Sequence, residues 1–162
     1  MDGNLTGKTV AFMVAAGFNQ TEFTELQRAM VKAGARLLTI APEQGVVNGW
    51  QPADNSWGHT YPVDQILGET LAADLDILVI PGGERSMAKL SQSLHARRIL
   101  THAVDGMMPV VLFDSAPTLL PEGTATGENV MTVTDLSAES WVEDAVSHMA
   151  HDFMGEDMRA AA

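Results

Sequence analysis

Asp76-Ile77-Leu78-Val79-Ile80-Pro81-Gly82-Gly83 decides the fold. Its apolar run has no polar alternation, so both faces are to be buried, as in a strand inside a parallel sheet. Pro81 cannot donate to a strand ladder, and two glycines then admit a sharp turn. Thr9-Val10-Ala11-Phe12-Met13-Val14-Ala15 and Pro109-Val110-Val111-Leu112-Phe113 read the same way. A helix is expected between the first of these and the next strand, over Thr21 to Ala33. Phe23, Leu26, Met30 and Ala33 form its apolar stripe, and Gly34 ends it. Arg36 to Ala41 is then a strand stopped by Pro42, and Ser86 to Val104 a helix with Leu90, Leu94, Ile99, Ala103 and Val104 inward. Strands alternating with helices predict an α/β domain with a mainly parallel sheet.

The remaining stretches carry weaker signals. Gln44 to Pro62 reads as irregular, with Gly45, Gly49, Pro52, Asp54, Asn55, Gly58 and Pro62 as turn formers. Gln65 to Ala73 suits a short helix, and a helical turn is expected through Leu120. Asn129 to Val133 suits a last strand, and Ser137 is placed to cap a helix through Phe153. The expected organisation is one domain over residues 1–154 and a flexible C-terminal tail over 155–162.

Composition narrows the function. A chain of 162 residues with 46% hydrophobic and 19% charged residues can build its own core. Its net charge of −12 argues against nucleic acid and against an anionic membrane surface as partners. No apolar run reaches the roughly 18 residues that span a bilayer, and the polar start lacks a signal-peptide pattern, so the expected compartment is the cytoplasm. There is no cysteine, which removes disulfides, thiolate metal sites and a cysteine nucleophile.

Open α/β sheets form sites at the carboxyl ends of their strands. Three such ends carry unusual residues: Gly17 to Glu22, Pro81-Gly82-Gly83, and Asp114 directly after Phe113. Gly17 stands alone after the first strand, so no phosphate-binding glycine loop supports FMN or NAD, and no cofactor is expected. His148 and His151 lie three apart but lack a third ligand at a familiar spacing, so a solvated helix face is expected and no metal. His59 reads as an exposed loop residue, and His95 and His102 as facing solvent or a subunit interface. The ten methionines, Met30 and Met149 among them, read as core packing.

The ordered set of these pieces resembles the ThiJ/PfpI superfamily, most closely its intracellular protease I branch. The matching stretches are Ala16-Gly17-Phe18 with Glu22, Ala33-Gly34-Ala35, Val47-Asn48-Gly49-Trp50, Trp57-Gly58, Pro62-Val63-Asp64 and Asp76 to Gly83. Together they span about Lys8 to Leu120. The resemblance implies a flavodoxin-like three-layer sandwich, of the class I glutamine amidotransferase-like kind. It also implies a reactive cysteine, usually followed by His, after the strand Pro109 to Phe113. Here those two positions hold Asp114 and Ser115. Glu22 matches the glutamate that hydrogen-bonds the cysteine, and Gly83 and Ser115 match the oxyanion-hole positions. The link from Leu120 to Glu128 is about thirty residues shorter than the family pattern. The C-terminal domain of large-subunit catalases, a structural module, is similar in both departures.

The resemblance therefore implies a frame without its nucleophile. The expectation is a non-catalytic, stress-related protein that acts through self-association or partner binding, at least dimeric, with any small-molecule ligand left open. The alternative is a hydrolase or lyase that uses the Asp114 and Glu22 carboxyls on a small polar substrate. Trp50 and Trp57, in an otherwise polar segment, are candidates for packing across a subunit boundary.

Overall fold

The computed structural model describes residues 5–113, 116–120, 126–134 and 140–151. Asp114, Ser115, Ser137, Phe153 and the tail 155–162 lie outside them. The described strands are β1 (Thr9–Met13), β2 (Phe18–Asn19), β3 (Arg36–Ala41), β4 (Val46–Gln51), β5 (Ser56–Pro62), β6 (Gln65–Ile66), β7 (Ile77–Ile80), β8 (Val110–Phe113) and β9 (Val130–Val133). The described helices are α1 (Gln20–Lys32), α2 (Glu84–Leu90), α3 (Leu94–Asp105) and α4 (Trp141–Ala150).

Six strands form a parallel sheet in the order β6-β3-β1-β7-β8-β9. Its three central strands are buried along their apolar runs, and alternate residues serve opposite layers. Phe12, Val79, Val111 and Phe113 pack with Phe23, Leu26 and Met30 of α1 and with Ala145 and Met149 of α4. Met13, Leu78, Ile80 and Leu112 pack with Leu90 of α2 and with Ile99, Leu100 and Ala103 of α3. The result is the three-layer α/β sandwich of the flavodoxin-like type. Helix α1 ends as its sequence predicts: Gly34 takes φ +91°, and the N–H groups of Gly34 and Ala35 return to the carbonyls of Val31 and Met30.

Four sequence expectations need correction. The segment 44–62 is a hairpin: β4 pairs antiparallel with β5 around a turn at Pro52 to Asn55, and parallel with β2 in a separate three-stranded sheet. Gly49 and Gly58 are strand residues, kept bare because the Gln20 side chain lies against both. Residues 65–73 form the short strand β6 and 3-10 turns at Leu67–Glu69 and Ala72–Asp74. The helix expected over Ser86 to Val104 is two helices: Ser93 caps α3 by accepting the Ala96 N–H at 3.1 Å. Leu94, at the first position of α3, is then 76% exposed and not inward.

The fourth concerns His148, which does not lie on a solvated face. Its ring turns inward, and Nε2 lies 2.8 Å from the Asn129 carbonyl. Burial holds its pKa below the ordinary imidazole value, against backbone hydrogen bonds at Asn129 and Val110 and with a smaller push from His151. His59, His95, His102 and His151 are exposed.

Candidate functional site at the carboxyl ends of the strands

The ends of β1, β7 and β8 lie side by side, with Phe12 level with Val79 and Ile80 level with Leu112. The turn after β1 is tied down on three sides. The Ala15 N–H donates to Oγ of fully buried Ser86 at 3.0 Å. The Gly17 N–H donates to the Asn48 carbonyl at 2.9 Å, and the Asn19 N–H to the Gly82 carbonyl at 2.8 Å. The loops after β1 and β7 approach so closely that a Cβ on Gly83 would collide with the Gly17 carbonyl oxygen. Gly83 also takes φ +117°, a conformation that side chains disfavour.

Glu22 closes this arrangement. Asn19 caps α1 by accepting the Glu22 N–H through Oδ1 at 3.2 Å. Asn19-Gln20-Thr21-Glu22 has the spacing of a capping box, in which the glutamate would return to the cap's own N–H. Here the Asn19 N–H goes to Gly82 instead, and Glu22 Oε1 accepts the Gly82 N–H at 2.7 Å. Glu22 is 1% exposed, so this hydrogen bond replaces lost water and fixes the turn. Glu22 and Gly83 thus lie on either side of the Gly82 N–H. Strand β8 runs beside β7 as far as Phe113, and Asp114 and Ser115 lie outside the described residues.

Trp50 and Trp57 meet each other within the chain, edge to face with centroids 5.3 Å apart. Gln20 Oε1 accepts the His59 N–H at 2.6 Å, and Tyr61 packs on Phe23 with centroids 4.7 Å apart. These contacts fix the hairpin against α1. Sequence reasoning missed Ser86, Arg85 and Gln20, whose roles exist only once β1, β5 and α2 are adjacent. The capping-box spacing was the one local signal for Asn19.

A groove of about 590 Å3 lies at the opposite ends of the strands, lined by Lys8, Asp76, His102, Met107, Met108 and His151 among others. It does not touch the Glu22 cluster, where the Gly82 N–H donates to a buried carboxyl. Among the described residues, no group of three or more His, Asp or Glu side chains is placed to hold a metal ion. No helix among them is long and apolar enough to cross a membrane.

The pattern of the DJ-1/PfpI family matches residues 8–154. The chain belongs to the DJ-1/PfpI family. No curated protein matches the sequence. Among solved structures, Drosophila melanogaster DJ-1beta is similar over 95% of this chain and 96% of its own, at 15% identity and a TM-score of 0.70. An oxidized DJ-1 of Toxoplasma gondii is similar over 86% of this chain and 87% of its own, at 17% identity and a TM-score of 0.62. A two-domain protein of Anabaena variabilis, with DJ-1/ThiJ/PfpI-like and ferritin-like domains, aligns with 79% of this chain at 16% identity and a TM-score of 0.65. The present chain spans 45% of that protein's length. At these identities the likeness is one of fold.

Proposed function

We propose that this chain is a non-catalytic member of the DJ-1/PfpI family that acts by self-association or partner binding, with stress response as its setting. One observation carries this reading: the chain contains no cysteine, and β8 runs into Asp114 where the family resemblance sets the nucleophile. Peptidase, glyoxalase and deglycase chemistry in this superfamily depends on that thiolate. The state of Glu22 supports the same reading. A carboxyl buried to this degree and engaged by a backbone N–H suits holding a loop better than exchanging protons with solvent.

In this reading Asp114 is a fixed counterpart of an oxidised cysteine. A sulfinate is an anion with two oxygens on a short stem, and aspartate has similar charge and shape. The N–H groups of Gly83 and Ser115 favour that anion, and Glu22 carries the proton shared by the two carboxyls. The protein is at least a dimer. Light scattering over a wide concentration range is expected to give at least twice the chain mass.

Turnover is the test. Wild-type protein and Asp114→Ala, assayed side by side for peptidase, glyoxalase and deglycase activity, are both expected to match buffer. A wild-type rate well above buffer that disappears in Asp114→Ala would replace this reading with a hydrolase or lyase working through the Asp114 and Glu22 carboxyls.

A further inference from the structure

Arg85 stands at the second position of α2, over the turn that follows β1. Its stem lies against Gly17, where an added Cβ would stand 2.5 Å from Arg85 Cβ and 3.2 Å from Cδ. From there the guanidinium reaches the hairpin. Cζ sits 4.0 Å from the centroid of the Trp50 ring and 5.6 Å from that of Trp57. Both rings are held at right angles to each other, and the hairpin that carries them is pinned by Gln20. Stacking on aromatic faces restrains a guanidinium while leaving its N–H edge able to bond.

Among the described residues that edge has no protein acceptor. Among the described residues no carboxylate lies within ion-pair distance of Arg85, and no oxygen accepts from it. Arg97 and Arg98, by contrast, each donate to backbone carbonyls. The side chain is exposed, and Trp57 beside it leaves 51% of its surface to solvent. Gly17, under the Arg85 stem, is also the residue whose carbonyl faces Gly83. The unpaired charge therefore lies next to the Gly82–Gly83 turn and not on a remote surface.

We infer that Arg85, stacked on Trp50 and Trp57, forms an anion subsite at the rim of the Glu22 cluster that takes a small organic carboxylate with a flat apolar body. The carboxylate matches the planar N–H fork, and the flat body covers the exposed face of Trp57. A surrounding net negative charge selects against multiply charged anions and leaves this guanidinium as the local point of attraction. The inference goes beyond the non-catalytic reading and does not depend on it, because binding at Arg85 needs neither a nucleophile nor turnover.

Benzoate and its uncharged analogue benzamide are suitable probes. Fluorescence is excited at the red edge of tryptophan absorption in a Trp141→Phe background, so that the emission comes from Trp50 and Trp57. Benzoate is expected to quench saturably with a Kd on the order of millimolar, the scale for so small a ligand. Benzamide is expected to bind roughly tenfold more weakly or worse, and added salt to weaken benzoate. Arg85→Gln is expected to lose about tenfold or more in benzoate affinity, with Arg85→Lys intermediate because a point charge lacks the planar fork. Trp57→Ser is expected to weaken benzoate and leave acetate unchanged. Far-ultraviolet circular dichroism and melting curves matching wild type establish that each variant is folded. Equal affinities for benzoate and benzamide, or for wild type and folded Arg85→Gln, would overturn the assignment. So would the absence of saturable quenching by benzoate well above millimolar concentration.

Discussion

The two ends of the central sheet are built from different materials. At the carboxyl ends, the turns after β1 and β7 are tied together: the Gly82 N–H donates to the buried Glu22 carboxyl, the Asn19 N–H to the Gly82 carbonyl, and the Ala15 N–H to Ser86 Oγ. At the amino ends, Asp76 Oδ2 accepts the Thr9 N–H at 2.8 Å between β1 and β7, and one neutral side chain joins the elements beyond them. Asn129 is fully buried, and its Nδ2 donates to the carbonyls of Val104 at 3.2 Å and Met108 at 2.9 Å, with Ala103 at 3.5 Å. It thereby closes the last turn of α3, while its own carbonyl receives the Val110 N–H and faces His148 Nε2. The amino end ties α3, β8, β9 and α4 together with uncharged groups, which is a device for stability. At the carboxyl end, by contrast, the Gly82 N–H donates to the buried Glu22 carboxyl, and the adjoining turns are tied to that pair.

The largest effect is therefore expected at the amino end. Asn129→Ala removes the donors from buried carbonyls and leaves a void, and is expected to cost about 2–4 kcal/mol in a denaturant melt. A cost under about 1 kcal/mol would mean that α3 ends without this plug. At the carboxyl end, Glu22→Ala leaves the buried Gly82 N–H without its acceptor and is expected to cost about 1–3 kcal/mol. Glu22→Gln keeps an oxygen at that position and is expected to recover most of the loss. Equal losses in both variants would show that the charge, and not the acceptor, supports the turn.

The smallest effect separates the ends by pH. His148 has a folded-state pKa below its unfolded value, chiefly because burial disfavours the cation. Its contribution to stability is complete above the unfolded pKa, whose ordinary value is 6.5. It is lost as pH falls below that value through the folded pKa, since the unfolded chain then binds the extra proton. Melting temperature is expected to drop over that range in wild type and to drop less in His148→Gln. Superimposable pH profiles would remove His148 from the account.

These regions also differ in how openly the sequence displays them. The central strands were legible because burial on both faces leaves uninterrupted apolar runs, and α1 because its stripe and Gly34 agree. The hairpin was not, because Gly49 and Gly58 carry turn chemistry while serving a contact with Gln20, 29 and 38 residues away in sequence. The break between α2 and α3 was hidden by Leu94, which continues a helical stripe although Ser93 starts a new helix. At the site, Glu22 and Gly83 came from the family resemblance, and the structure supplies the Gly82 N–H that joins them. The stacking of Arg85 on two tryptophans had no local signature, since residues 50, 57 and 85 meet only in the folded chain.

In the proposed reading, the carboxyl end of the sheet, with Glu22 and the Gly82–Gly83 turn, holds the carboxylate of Asp114. Chemical denaturation of Asp114→Ala against wild type tests it most directly. The account predicts a loss of about 1–3 kcal/mol, the scale for leaving donors to a charged group unpaired. A melt indistinguishable from wild type would contradict it.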